Sequence, residues 1–158
     1  MITAFDADVL IYAAAQGHPL GEGVAALLAN TSNDSTSDAV GSVLLLTEAL
    51  AKPLRDDPDS IEVAALMSLL GRLDLRPLDA PTARLSLALS VAYGLRAADA
   101  AHLATAVAAG ADRFLTNNRK DFPKTITEID IVYPDELASV VEQGSEASET
   151  KRPDGGAT

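Results

Sequence analysis

From Ala97 to Ala109 the chain is almost entirely Ala, Leu and Val, and Ala is the best helix former. Gly110 ends the run as a residue free to take positive φ. Phe114 and Leu115 then read as a short strand, and Thr116-Asn117-Asn118 as a loop. A helix apolar on nearly every side must be covered by protein on most of them. That requirement favours a layered fold in which this helix is internal.

Asp99 interrupts the apolar pattern. It stands in the first turn, in line with Leu103 and Ala106. One reading is structural, since an acid near a helix N-terminus complements the dipole. The other is a carboxylate aimed into a cleft, and only partners elsewhere in the chain decide between them.

A chain of 158 residues matches one domain with a core of its own. That domain is expected over residues 1–142, followed by a disordered acidic tail over 143–158 that holds no core former. Hydrophobic residues make up 47% of the chain and aromatics 4%, so the core must be aliphatic. The absence of cysteine excludes disulfides and thiolate metal sites, and two histidines argue against a His-rich zinc site. With no signal-like segment and no apolar run of membrane-spanning length, a cytoplasmic protein is expected, without membrane contact. The net charge of −11 argues weakly against nucleic-acid binding, although acids gathered around a cation would belong to that count.

Strands are expected at Ile2 to Phe5, Ala39 to Val43, Leu73 to Leu78, Phe114 to Leu115 and Glu128 to Val132. Helices are expected after Asp8, over Glu22 to Asn30, Leu44 to Ala51, Ser60 to Leu70, Ala80 to Tyr93 and Ala97 to Ala109, with a further turn at 135–142. Pro53 and Asp56-Asp57-Pro58 mark a break, and the segment 31–38 is a polar loop. Alternating strands and helices imply an α/β fold with a central parallel sheet. Such sheets bind ligands beyond the carboxyl ends of their strands.

That rule selects a set of side chains. Asp6 and Asp8 follow the first strand, and Glu48 lies one helical turn past the second. Asp99 opens the helix before the fourth strand, and Asn117, Asn118 and Asp121 follow it. All are hard oxygen donors, a set suited to Mg²⁺ or Mn²⁺. Each has an ordinary structural explanation alone, as cap, dipole partner or solvated charge. Together in one cleft, two like charges ~4 Å apart repel by ~4 kcal/mol at an effective dielectric near 20. Either the acids are apart or a divalent cation holds them.

Four segments, FDADVLIYAA, VLLLTEAL, LRAADAAHLATAVAAGAD and FLTNNRKDF, in this order, resemble PIN-domain proteins of the VapC-like toxin type, ribonucleases paired with antitoxins. The resemblance implies a Rossmann-like α/β/α sandwich with strand order 3-2-1-4-5. It also implies Mg²⁺- or Mn²⁺-dependent endonucleolytic hydrolysis of RNA, an antitoxin partner and a homodimer. By position Asp6, Glu48 and Asp99 are the metal-binding catalytic acids. The fourth is Asp121 or Asn118, with Asp121 favoured and Asn117 in support. Many relatives carry Asn where this chain has Asp8, so Asp8 is either an added ligand or a cap.

Arg96, Arg113, Arg119 and Lys120 lie near the expected edge, either as contacts to the RNA backbone or as solvated charges. His102, three residues past Asp99, either hydrogen-bonds a ligand carboxylate or packs at an interface. Two rival readings remain. FDADVLIY also resembles the DxD loop of haloacid-dehalogenase-like phosphatases, but Leu10 departs from that pattern and no downstream Lys with paired acids is evident. A PIN fold that binds RNA or protein without cutting is the other.

Overall fold

In a computed structural model of the chain, residues 1–31 and 38–137 are described. Most of the expected polar loop, the end of the expected last helical turn and the expected disordered tail lie outside the described residues. The elements run β1 (Thr3–Phe5), α1 (Ala7–Ala14), α2 (Gly21–Ala29), β2 (Ala39–Ser42), α3 (Leu44–Asp56), α4 (Ile61–Leu70), β3 (Asp74–Arg76), α5 (Ala80–Tyr93), α6 (Ala97–Ala108), β4 (Arg113–Leu115) and β5 (Asp130–Val132). All neighbouring strands pair in parallel, in the order β3-β2-β1-β4-β5. This is the expected PIN-like α/β architecture.

The strands are short, and β1 and β2 at the centre are fully buried because both faces of the sheet are covered. Successive residues enter opposite cores, as the two-residue period of a strand requires. Phe5, Ala39, Leu115 and Val132 pack with α1 to α4, whereas Ala4, Val40, Phe114 and Ile131 pack with α5 and α6. The internal helix is α6, with every residue from Ala100 to Ala106 buried. Its end is a Schellman turn: Gly110 takes φ 69°, its N–H reaches Val107 O at 3.0 Å, and Ala111 N–H reaches Ala106 O at 3.1 Å. The α1–α2 corner depends on a bare glycine, since a Cβ on Gly21 would stand 2.0 Å from Tyr12 O.

The expected break at Pro53 is corrected. Helix α3 passes through Pro53 and ends at Asp56. A proline inside a helix removes one N–H···O bond and crowds the preceding turn, yet Asp57 N–H still closes on Pro53 O at 2.9 Å. The terminating signal is therefore Pro58, which holds Asp57 in extended backbone (φ −157°, ψ 96°), rather than the proline within the helix.

Candidate metal centre

Strand order reverses at β1, which has β2 on one side and β4 on the other. The crevice beyond the carboxyl ends of β1 and β4 is the switch point where such sheets bind ligands. Asp6 occupies it. Its N–H donates to Leu115 O at 3.0 Å, continuing the β1–β4 ladder by one bond. Its backbone is extended (φ −86°, ψ 162°), which suits the N-cap of α1, and its Oδ1 accepts the Ala7 N–H at 2.8 Å. The other oxygen, Oδ2, accepts the Thr116 hydroxyl at 2.7 Å. Asp6 is 6% exposed, and burial raises its pKa above the ordinary carboxylate value against the pull of Thr116, His102 and Ala7.

Glu48 reaches the same place from α3. Strand β2 ends at buried Ser42, whose Oγ accepts the Leu44 N–H at 3.2 Å and so fixes the start of that helix. One turn later Glu48 Oε2 lies 2.6 Å from His102 Nε2. The contact is lopsided, with side-chain exposure of 35% for Glu48 and 1% for His102. A carboxylate only accepts, so the proton of this bond is on Nε2. Asp6, Glu48 and His102 each offer one ligand atom, and these atoms lie within 4.8 Å of one another.

Asp99 lies outside that group of atoms, in the first turn of α6. Burial raises its pKa first, then the charges of Asp6, Asp121 and Glu48, so its carboxylate stands within the field of all three. Asp8, in the first turn of α1, is pushed up to about 7, by burial first and by Asp6 second, against the N–H groups of Asn117 and Val9. Asp8 Oδ2 accepts the Asn117 N–H at 3.0 Å, while Oδ1 is buried without a hydrogen-bond partner among the described residues.

The loop after β4 holds the remaining groups. Asn118 Nδ2 donates to Asp121 Oδ2 at 2.9 Å, and Asp121 N–H donates back to Asn118 Oδ1 at 3.2 Å. The two rival fourth groups are thus partners, with the amide of Asn118 engaged in holding Asp121. The Asn117 amide faces Tyr12 Oη at 3.4 Å, and its part at this edge is its backbone N–H on Asp8.

Among the basic residues, Arg96 is the exposed N-cap of α6 and Lys120 is exposed. Arg119 pairs with Asp135 at 2.7 Å and lies over the Tyr133 ring at 4.2 Å. Arg113 is corrected: as the first residue of β4 it lies at the amino edge of the sheet, and its Nε donates to Thr3 Oγ1 at 2.8 Å. A charged residue directly before the apolar pair Phe114-Leu115 reads as loop in the sequence, whereas it is the first residue of β4. Thr116, which reads as a loop residue in the sequence, is a further part of the site. Its position immediately after the strand beside β1 is the signal that finds it.

The donor set fits a hard divalent cation. It offers carboxylate oxygens from separate elements, one buried carboxylate oxygen without a partner, and three carboxyl groups whose pKa values burial raises and neighbouring acids push further. The imidazole nitrogen in the cluster is already engaged by Glu48.

The PIN domain profile matches residues 4–126. The chain belongs to the PIN-domain family. Two solved structures are similar to this PIN domain. A toxin–antitoxin complex from Klebsiella pneumoniae shares 25% identity and a TM-score of 0.64, over 84% of this chain and 97% of that one. VapBC2 from Rickettsia felis, bound to a DNA fragment from its promoter, shares 20% identity and a TM-score of 0.65, over 84% of this chain and 98% of that one. No curated protein sequence matches the chain. Among the described residues, no helix of this PIN domain is long and apolar enough to cross a membrane.

Proposed function

We propose that this PIN domain is a Mg²⁺- or Mn²⁺-dependent endoribonuclease and the toxin of a toxin–antitoxin pair. The observation that carries the reading is the convergence of Asp6 and Glu48 within one 4.8 Å group, with Asp99 titrating under their charges. Asp6, Glu48 and Asp99 would hold the cation, directly or through water, with Asp121 as the fourth acid and Asp8 as an added donor. When bound, the cation supplies positive charge at the scissile phosphate and a water of lowered pKa.

The residues supply the rest. Asp6 is held on both oxygens, so its position is set before any ligand arrives. Asp121, braced by Asn118, is the group to orient the attacking water or accept its proton. In-line attack on phosphorus expels the 3′ oxygen and leaves 5′-phosphate and 3′-hydroxyl ends. Arg96, Arg119 and Lys120 are the RNA-backbone contacts of this reading. The toxin assignment draws on the similar structures described as toxin–antitoxin assemblies, and with it come an antitoxin partner and a homodimer. Membership of the PIN family favours this reading over the phosphatase one.

The test is cleavage of a mixed RNA pool by the purified chain beside its Asp99→Asn variant. Cleavage that requires Mg²⁺ or Mn²⁺, stops with EDTA and is lost in the variant supports the proposal. Equal cleavage by both proteins points to contamination or another site and removes the Asp99 assignment; none by either, with the fold intact, favours an RNA- or protein-binding role without catalysis.

A further inference from the structure

His102 is the buried residue of the cluster whose role the family resemblance does not supply. It lies on α6 three residues after Asp99, so one short stretch of helix carries both an acid and the group that meets Glu48. Its ring is enclosed, with the flanking Ala101, Leu103 and Ala104 each no more than 2% exposed. Glu48 is the opposite: a long side chain on the rim of the crevice, 35% exposed, with several rotatable bonds to order. The contact at 2.6 Å ties the exposed side chain to the buried one.

We propose that His102 is a positioning residue: its Nε2–H holds Glu48 Oε2, leaving Oε1 for the cation, and the imidazole itself is not a ligand. The tautomer supports this assignment. With the proton on Nε2 toward Glu48, that nitrogen has no lone pair for a metal, and Nδ1 is buried with no hydrogen-bond partner among the described residues. Groups of this kind fix the rotamer of a ligand and raise the affinity of the site without touching the ion. The inference rests on the metal-site part of the proposed function and not on the identity of the substrate.

The test is Mn²⁺ binding to the full chain without RNA, followed by electron paramagnetic resonance. His102→Leu is expected to weaken binding by roughly 10–100-fold. His102→Gln, whose side-chain amide can donate in place of Nε2–H, is expected to bind within a few-fold of the original. In a Glu48→Gln background, His102→Leu should add no further loss. Unchanged binding in His102→Leu would mean a packing role only and overturns the proposal. So does an equal loss in His102→Gln, which would make the imidazole itself the essential group. If His102→Leu does not fold, the ¹⁵N shifts of the His102 ring in the Mg²⁺-loaded natural chain decide: a protonated Nε2 supports the assignment and a bare Nε2 overturns it. A chain that binds Mn²⁺ in this way but cuts no RNA removes the ribonuclease reading and leaves the role of His102 standing. A chain that binds no Mn²⁺ removes both.

Discussion

The Thr116 hydroxyl donates to Asp6 Oδ2 at 2.7 Å across 110 residues of sequence, and the same oxygen of Thr116 accepts the Asn118 N–H at 3.1 Å. Thr116 is therefore the link between the buried acid after β1 and the loop that carries Asp121.

Replacing Thr116 by Val keeps the shape and removes the link. The buried Asp6 carboxylate then loses a hydrogen bond of the charge-assisted kind, at a cost of about 1.5–3 kcal/mol. Urea unfolding at neutral pH should show that loss, and Mn²⁺ binding should weaken with it. Thr116→Ser should restore both. Stability unchanged in Thr116→Val would show that the bond contributes nothing.

The raised pKa values make the metal-free protein sensitive to alkali rather than acid. Asp6, Asp8 and Asp99 all bind their protons more tightly when folded than when unfolded. Each contribution to stability is complete below the unfolded value of 3.8 and is lost as pH rises through the folded one, about 7 for Asp8. The Tm of the EDTA-treated protein should therefore fall between about pH 4 and about pH 7 through Asp8, and added Mn²⁺ should raise it more at the higher pH. A flat profile in EDTA would contradict the crowding of these acids.

Asp8→Asn removes the most displaced charge that is not also the cap of α1. At about pH 8 it is expected to stabilise the metal-free chain by roughly 1–3 kcal/mol and to flatten the pH profile. Retained RNA cleavage in this variant would make Asp8 an auxiliary; loss of cleavage would make it a ligand.

Asp99→Asn is expected to separate stability from activity. The metal-free chain should be at least as stable as the original, because a charge repelled by Asp6, Asp121 and Glu48 is gone. Cleavage should fall at least ~100-fold, since a ligand counts for more than the outer-shell groups whose loss costs 10–100-fold. Thermal unfolding and a cleavage assay on one preparation check both halves.

Gly21→Ala has no such compensation. Its Cβ would lie 2.0 Å from Tyr12 O and 2.4 Å from Tyr12 C, backbone atoms that move only with α1. A loss of roughly 1–3 kcal/mol is expected in urea unfolding, the usual range for overpacking.

The sheet was legible because buried parallel strands announce themselves as short apolar runs between helices, and the carboxyl-edge rule then gathered Asp6, Glu48 and Asp99 from distant segments. Pro53 misled because propensity is local, whereas α3 is held by its packing against α1 and α4. Arg113 misled because a charged residue in the first position of a strand looks like the end of a loop. His102 and Thr116 carry no charge pattern of their own. Their parts become definite only when the topology brings His102 of α6 to Glu48 of α3 at the sheet edge and β4 against β1.

The strand order also has a consequence for synthesis. A ribosome delivers β1 before any other strand, yet β1 is the middle of the finished sheet. One of its edges waits for residue 39 and the other for residue 113. Until β4 emerges, Asp6 has neither the Leu115 carbonyl nor the Thr116 hydroxyl that fix it. A growing chain therefore holds its first acid without the groups that aim it until β4 and the residue after it have been made.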